Sequence, residues 1–424
     1  MTVKDVILTV AIMLGAGLVC QLAADLLRVP RMLLLLGAGA LLGPAVSDAI
    51  DVPLDSIGAQ LILTLGVSFI LFHGGLQLST RVLSRVAIGL GLLTVPGVVL
   101  TALVTGAVAA AVFHLPLTSG LLIGAVLAPT DPAILIPLFE RLQLKPKVSQ
   151  SIIAESALND PAGAVLALAV AGVVLSGHAS LTDPLRDFVV DLAISTALGV
   201  VFGIVLSAAV SSHRAGIWRE SSAIAVMTVI SAAYFSIDSA GGSGYLAAFL
   251  AGLIVGNMER LGLVMHSHHE QEMRTLVATV ADVMVVFVFI TLGANLPWGE
   301  ISDEFVSALV VIAALIFIAR PLTVLACLLP DVRGRWSRNE IVFLAWTRET
   351  GVVPAALAGI MVSLKVPNAD LVVTTVALAI VVTLSVQSTT KAWLARRLQL
   401  IESAVYPGDS YPSERPSPAG APVP

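Results

Sequence analysis

"SIIAESALNDPAGAVLALAV" occupies residues 151–170. A helix of about 20 apolar residues crosses a bilayer, yet this stretch carries Glu155, Asn159 and Asp160. An ionised side chain at the bilayer centre costs at least about 2.5–3.5 kcal/mol, so each carboxylate needs a partner, a watered cavity or a proton. Glu155 and Asn159 stand four apart on one helical face, where the amide can bond the carboxylate, and Asp160 points about 100° further round. Pro161 leaves the carbonyl of Ala157 without its helical donor and disfavours helical dihedrals at Asp160. A free carbonyl beside a carboxylate suits a cation. The plainer alternative is structural: Glu155 neutralises an arginine and Asp160 caps a backbone.

The rest of the chain sets this stretch in a membrane. Of 424 residues, 57% are hydrophobic and 12% charged, with mean hydropathy +0.97; a soluble domain has about 45–50% and about 25%. Apolar runs of spanning length recur throughout, so the fold class is an all-α integral membrane protein of roughly thirteen transmembrane helices. Barrel strands need only about 9–11 alternating residues, which these runs exceed. The first run lacks a basic leader and a small-residue cleavage site, so it is expected to remain in the mature chain.

Alternate loops sort by charge. One side collects Arg28, Arg31, Arg81, Arg85, Arg141, Lys145, Lys147, Arg214, Arg219, Arg260, Arg274, Arg333, Arg335, Arg338, Lys391, Arg396 and Arg397; the other has Lys4, Arg186 and Lys365. The positive side is cytoplasmic. The expectation is a multi-pass protein of the cell (inner) membrane, N-terminus outside and C-terminus inside. The net charge of −5 is distributed by leaflet, which argues against a nucleic-acid partner. Cys20 and Cys327 both fall in apolar runs, against a structural disulfide or a cysteine metal site. Residues 401–424, rich in Pro, Ser and Gly, read as a disordered cytoplasmic tail.

Removing loop residues leaves Asp131, Glu155, Asp160, Asp282, Arg320, Arg348 and Glu349 at depth, with His73 the one deep histidine. In "GAVLAPTDPAILIPLF", Pro129 and Pro132 flank Thr130 and Asp131 mid-span; in "WTRETGVVPAALAG", Gly351 and Pro354 interrupt the twelfth span beside Arg348 and Glu349. Interior proline breaks the helical ladder. Two interrupted helices, one in each half, point to a secondary transporter of inverted repeats with its site at the midplane; unrelated proline kinks are the alternative. Half-helix ends carry about half a charge, so Asp131 can offset exposed N-termini and Arg348 or Glu349 the facing ends. Arg320 needs a carboxylate, and Glu155 is the candidate.

These pieces resemble the NhaP-type cation/proton antiporters, relatives of the animal sodium/proton exchangers: "ILFHGGL" at 70–76, "APTDP" at 128–132, "ESALND" at 155–160, "ARP" at 319–321 and the Arg348 segment. The resemblance implies crossed interrupted helices and a homodimer whose dimerisation domain stays fixed while a core domain moves. It places dimerisation helices in 1–81, core helices with the TDP and ND motifs in 82–180, linking and dimerisation helices in 181–300, and core helices in 301–400. It also implies Asp160 as shared cation and proton carrier, with Glu155, Ser156, Thr130 and Asp131 around the ion path. A monovalent cation (Na+ or K+) would sit at Asp160, Ser156 and Thr130, with Asn159, Arg320 and Arg348 stabilising the site and no resident cofactor. Exchange of one proton for one cation, serving pH homeostasis, follows.

Three departures from the family pattern bear on ion choice and pH response: His73 where many relatives are acidic, Pro161 where glycine is commoner, and "TRETG" around Arg348. His73 reads either as a proton sensor, since histidine titrates near neutral pH, or as a packed ring bonded to backbone. Two other activities compete. A passive channel also lines its path with carboxylates, and "GGSG" at 241–244 has the look of an intramembrane serine protease, with Ser243 as nucleophile but no histidine base at its depth. His266, His268, His269, Glu270 and Glu272 lack defined ligand spacing and read as a solvated loop rather than a transition-metal site.

Overall fold

A computed structural model of the protein describes residues 3–402 apart from 28, 30, 55, 131–138, 140–141, 177–181, 213–215, 241 and 297–300. Asp131, several loop cations, and the tail from residue 403 lie outside the described residues. Ile401 and Glu402 do not: Leu144 and Ile401 form an antiparallel bridge, and the amides of Lys145 and Glu402 donate to Leu400 and Gln143 at 2.8 and 2.9 Å.

Among the described residues, eight helices are long and apolar enough to cross a membrane and five more are shorter apolar helices, thirteen in all. Helix is the solution that satisfies every backbone group within one segment in lipid. In chain order they are α1 (Val3–Leu27), α2 (Arg31–Leu42), α3 (Ile57–Gln77), α4 (Ala87–Val112), α5 (Leu117–Leu127), α6 (Pro146–Ser176), α7 (Thr182–Val210), α8 (Ser222–Ser239), α9 (Gly244–Gly256), α10 (Ser267–Ala294), α11 (Ile301–Leu328), α12 and α13 (Ala369–Arg397). α12 comes in two halves, Arg338–Trp346 and Val352–Ser363. α11 contains a π-helical turn, Leu315–Ala319, just before Arg320 and Pro321; α13 contains another, Thr383–Ser388.

Two bundles result. In one, α3 packs on α9 and α10, α2 on α10, and α7 on α9; in the other, α4 packs on α5 and α11, α5 on α6, and α13 on α11 and the second half of α12. α6 belongs to the second and also touches α7 and α9 of the first. Lipid offers no hydrophobic drive between helices, so close approach of small residues holds them together. Gly252 of α9 lies against the carbonyl of Phe72 and Gly75 of α3 against that of Phe249; Gly39 of α2 and Gly293 of α10 face the carbonyls of Ile290 and Leu36.

One end of the second bundle is tied by polar groups. Asp331, 2% exposed, accepts from the amides of Gly89 (3.2 Å) and Gly334 (3.0 Å) and from the Trp336 indole (3.1 Å). Ser337 and Glu340 form a capping box that starts α12, and Lys147 of α6 donates to Glu340 at 2.7 Å while lying 4.2 Å over the Trp336 ring.

Asp282, mid-way along α10, has a side chain 61% exposed from the bundle and an ion-pair partner in Arg31 at 3.8 Å, as a carboxylate at depth needs. One charge sits differently from the sequence expectation. Lys391, counted above with the loop cations, is fully buried. Its position follows from Thr383, Gln387 and Lys391, which recur every four residues and so share one inward face of α13.

Gly252→Leu is expected to weaken the α3–α9 contact by about 1–3 kcal/mol through overpacking, seen as a lower unfolding midpoint in detergent. Gly15→Leu, where nothing lies within 4 Å, is expected to leave the midpoint unchanged.

Candidate functional site

α5 ends at Leu127, and Ala128, Pro129 and Thr130 continue as non-helical chain. The unwound backbone finds its partners on α6. The Thr130 amide donates to Asn159 Oδ1 at 3.2 Å, Asn159 Nδ2 donates to Thr130 Oγ1 at 2.8 Å, and Thr130 Oγ1 lies 2.8 Å from Ser156 Oγ. Pro129 lies against Gly163, where a Cβ would collide with its ring. Thr130, Ser156, Asn159 and Asp160 are all buried. The Asn159 amide thus serves Thr130, not Glu155 as its helical spacing suggested: a four-residue offset shows which side chains can meet, and the break in α5 supplied a nearer partner with unmet donors.

Glu155 is taken by Arg320. The guanidinium donates through Nη1 to Oε1 and through Nη2 to Oε2, the latter at 3.0 Å, and its Nε donates to the Leu344 carbonyl at 3.1 Å. Both side chains are nearly fully buried, 2% and 3% exposed. A two-pronged fork of this kind is the geometry in which a buried ion pair offsets its desolvation. Arg320 also meets the last turn of the first half of α12, so one residue binds α6, α11 and α12.

Arg348 stands in the break of α12 and reaches back to α5. Its guanidinium donates to the carbonyls of Leu127 and Ala128, the latter at 3.0 and 3.2 Å. These are orphan carbonyls at the end of a half-helix, where a cation is favoured. The break itself is held by α13: Thr383 Oγ1 accepts from the Thr350 amide at 3.2 Å and Gln387 donates to the Trp346 carbonyl at 2.6 Å. Glu349 accepts from Ser388 at 3.2 Å and from Lys391.

The structure therefore brings Thr130, Ser156 and Asn159 together and pairs Glu155 with Arg320, with Asp160 buried next to Asn159 on α6 and Arg348 at the end of α5. Asp131 is outside the described residues. His73 lies apart on α3, half-buried, with its Nε2 3.1 Å from the amide nitrogen of Gln77. Sequence reasoning missed Lys391 as the partner of Glu349; the four-residue polar stripe on α13 was the available signal.

What these residues offer is buried hard oxygen atoms, the Thr130 and Ser156 hydroxyls and the Asp160 carboxylate, beside a neutralised pair, the donor set of an alkali cation rather than of a transition metal. The other sequence candidates fall elsewhere. Ser243 caps α9 and accepts from the Leu246 amide at 3.3 Å, a helix entry as expected of a loop. His268 and His269 share the exposed carboxylate of Glu272 at 3.4 and 3.3 Å.

Residues 9–397 match the family model described as "Sodium/hydrogen exchanger, transmembrane". The chain is 29% identical over 374 residues to the probable Na+/H+ antiporter 2 of Methanocaldococcus jannaschii, covering 84% of this chain and 85% of that one. To the K+/H+ antiporter NhaP2 of Shewanella sp. (strain ANA-3) it is 29% identical over 401 residues, 91% of this chain and 66% of that one. The solved structure of the sodium proton antiporter MjNhaP1 from M. jannaschii at pH 8 matches with a TM-score of 0.74 at 26% identity, over 93% of this chain and 99% of that chain.

Arg320→Met is expected to leave Glu155 as an uncompensated buried charge and to cost about 3–5 kcal/mol, read as thermal unfolding in detergent. Combining it with Glu155→Gln is expected to recover most of the loss.

Proposed function

The chain belongs to the sodium/hydrogen exchanger family, and we infer that it exchanges a monovalent cation, Na+ or K+, for a proton by alternating access, with Asp160 as the shared carrier. The observation that carries this reading is the Arg320 fork on Glu155. With one carboxylate of α6 neutralised, the charge of Asp160 is cancelled by either a proton or a single cation. Only a neutral site crosses the low-dielectric interior cheaply. That makes exchange electroneutral, one proton against one cation.

Thr130 and Ser156 supply further oxygen ligands beside Asp160, and Asn159 sets Thr130 in place through two bonds. Arg348 completes the end of the α5 half-helix. The protein needs no resident cofactor: proton and cation are its substrates. Buried carboxylates alone would also suit a passive channel, but the curated relatives are antiporters and exchange replaces that reading; the protease reading lapses with it. The exchange serves pH and cation homeostasis.

The two-bundle packing supports a division of labour. Residues 1–81 and 181–300 would form the fixed, dimer-forming part, and residues 82–180 and 301–400 the moving core. The chain would work as a homodimer in the cell (inner) membrane, N-terminus outside and C-terminus in the cytoplasm, as its loop charges require.

In proteoliposomes, Asp160→Asn is expected to abolish cation-driven proton movement while unfolding and dimerisation stay as in the parent, because an amide cannot alternate between proton and cation. Full exchange by that variant would sink the carrier assignment. Because proton and cation compete for one carboxylate, acidification is expected to raise the half-saturating cation concentration, approaching about tenfold per pH unit below the site's pKa by mass action. A flat half-saturation from about pH 6 to 9 would require two separate sites.

A further inference from the structure

The dipeptide Arg348–Glu349 divides its contacts between the two sides of a break. Arg348 holds the carbonyls of Leu127 and Ala128 at the end of α5. Glu349 takes the ammonium of Lys391, which lies 5.8 Å from the centre of the Phe139 ring, beyond the interruption that begins at Ala128. Phe139 in turn lies 6.4 Å, ring centre to ring centre, from Phe343 in the first half of α12. Glu349 and Lys391 have no measurable exposure. The second carboxylate oxygen of Glu349, the Thr350 hydroxyl and the Gln387 carbonyl oxygen make no hydrogen bond among the described residues.

A carboxylate and an ammonium buried to this degree cost several kcal/mol each to desolvate, and interior hydrophobic residues would stabilise the fold as well or better. Stability alone is thus a weak reason for the pair. Geometry gives a stronger one. Through neighbouring residues, the break of α12 grips the segment before the α5 interruption and the residue after it, while Asn159 and Ser156 grip Thr130 between them.

We propose that Glu349 and Lys391 are positioning residues for the exchange reaction: they brace the chain on either side of Thr130, at Ala128 and Phe139, against α12 and α13 and thereby set the cation affinity at Thr130 and Asp160. They carry neither proton nor cation. The proposal rests on the reading of Asp160 and Thr130 as the cation site.

The test uses the full chain in proteoliposomes, with Na+ and K+ pulses, reading half-saturating concentration and maximal rate separately, beside thermal unfolding in detergent. Glu349→Gln and Lys391→Met each leave one buried charge unpaired. Both are expected to lower the unfolding midpoint and to raise half-saturation roughly two- to thirty-fold, the span of effects along coupled networks. The double variant removes both charges. Its unfolding midpoint is expected to return toward the parent while half-saturation stays raised.

Recovery of both together would reduce the pair to a structural contact and overturn the proposal. Phe139→Leu, an apolar exchange that leaves no charge unpaired, keeps the test alive if the charge variants do not fold. It is expected to raise half-saturation about twofold, at the low end of the same range, and an unchanged value overturns the brace. Exchange surviving in Asp160→Asn would instead remove the cation-site reading, whatever the brace variants do.

Discussion

Everything at the centre of this protein depends on how a low-dielectric interior treats charge. Arg320 gives both arms of its guanidinium to Glu155 and its third donor to the Leu344 carbonyl. The pair is unavailable to lipid and water, and its net charge is zero. That neutrality makes the second carboxylate of α6 chemically distinct from the first although only five residues separate them. Without the fork, two acids in one helix would hold each other's protons, and neither would answer to a single cation.

The two interrupted helices solve the same problem in mirrored ways. An unwound segment at membrane depth exposes amides and carbonyls that cannot stay unmet. After α5, Asn159 on α6 accepts from the Thr130 amide, and Asn159 and Ser156 bond the Thr130 hydroxyl. In the break of α12, Thr383 and Gln387 on α13 bond the Thr350 amide and the Trp346 carbonyl, and Ser388 and Lys391 bond the Glu349 carboxylate. Each repair helix shows a polar stripe on an otherwise apolar rod. The π-helical turn Thr383–Ser388 carries Gln387 and Ser388, which bond the Trp346 carbonyl and the Glu349 carboxylate. Arg348 then joins the two breaks directly.

Much of this was legible in the sequence because membrane depth makes polar residues conspicuous. The spans, the breaks at Pro129 and in the twelfth span, and the pairing of Arg320 with Glu155 follow from run length, proline chemistry and the need of every buried charge for a partner; the second break lies at 347–351, and Pro354 falls within the helix after it. What stayed hidden has a common cause. Asn159 has two possible acceptors, and spacing along its own helix could not show that Thr130, 29 positions earlier, presents more urgent donors. Lys391 sits a few residues from Arg396 and Arg397 and near the end of a hydrophobic run, so charge sorting placed it in the loop.

The Asp331 knot has a mechanical meaning. One carboxylate accepts from an amide at the start of α4 and, within its own α11–α12 turn, from the Gly334 amide and the Trp336 indole, so two pieces of chain far apart in sequence share a single desolvated anchor. Sliding α4 past the α11–α12 hairpin would strip donors from that anchor with no solvent to replace them. That corner of the second bundle is therefore held as one solid piece, and any rearrangement of α4 against α12 has to hinge elsewhere.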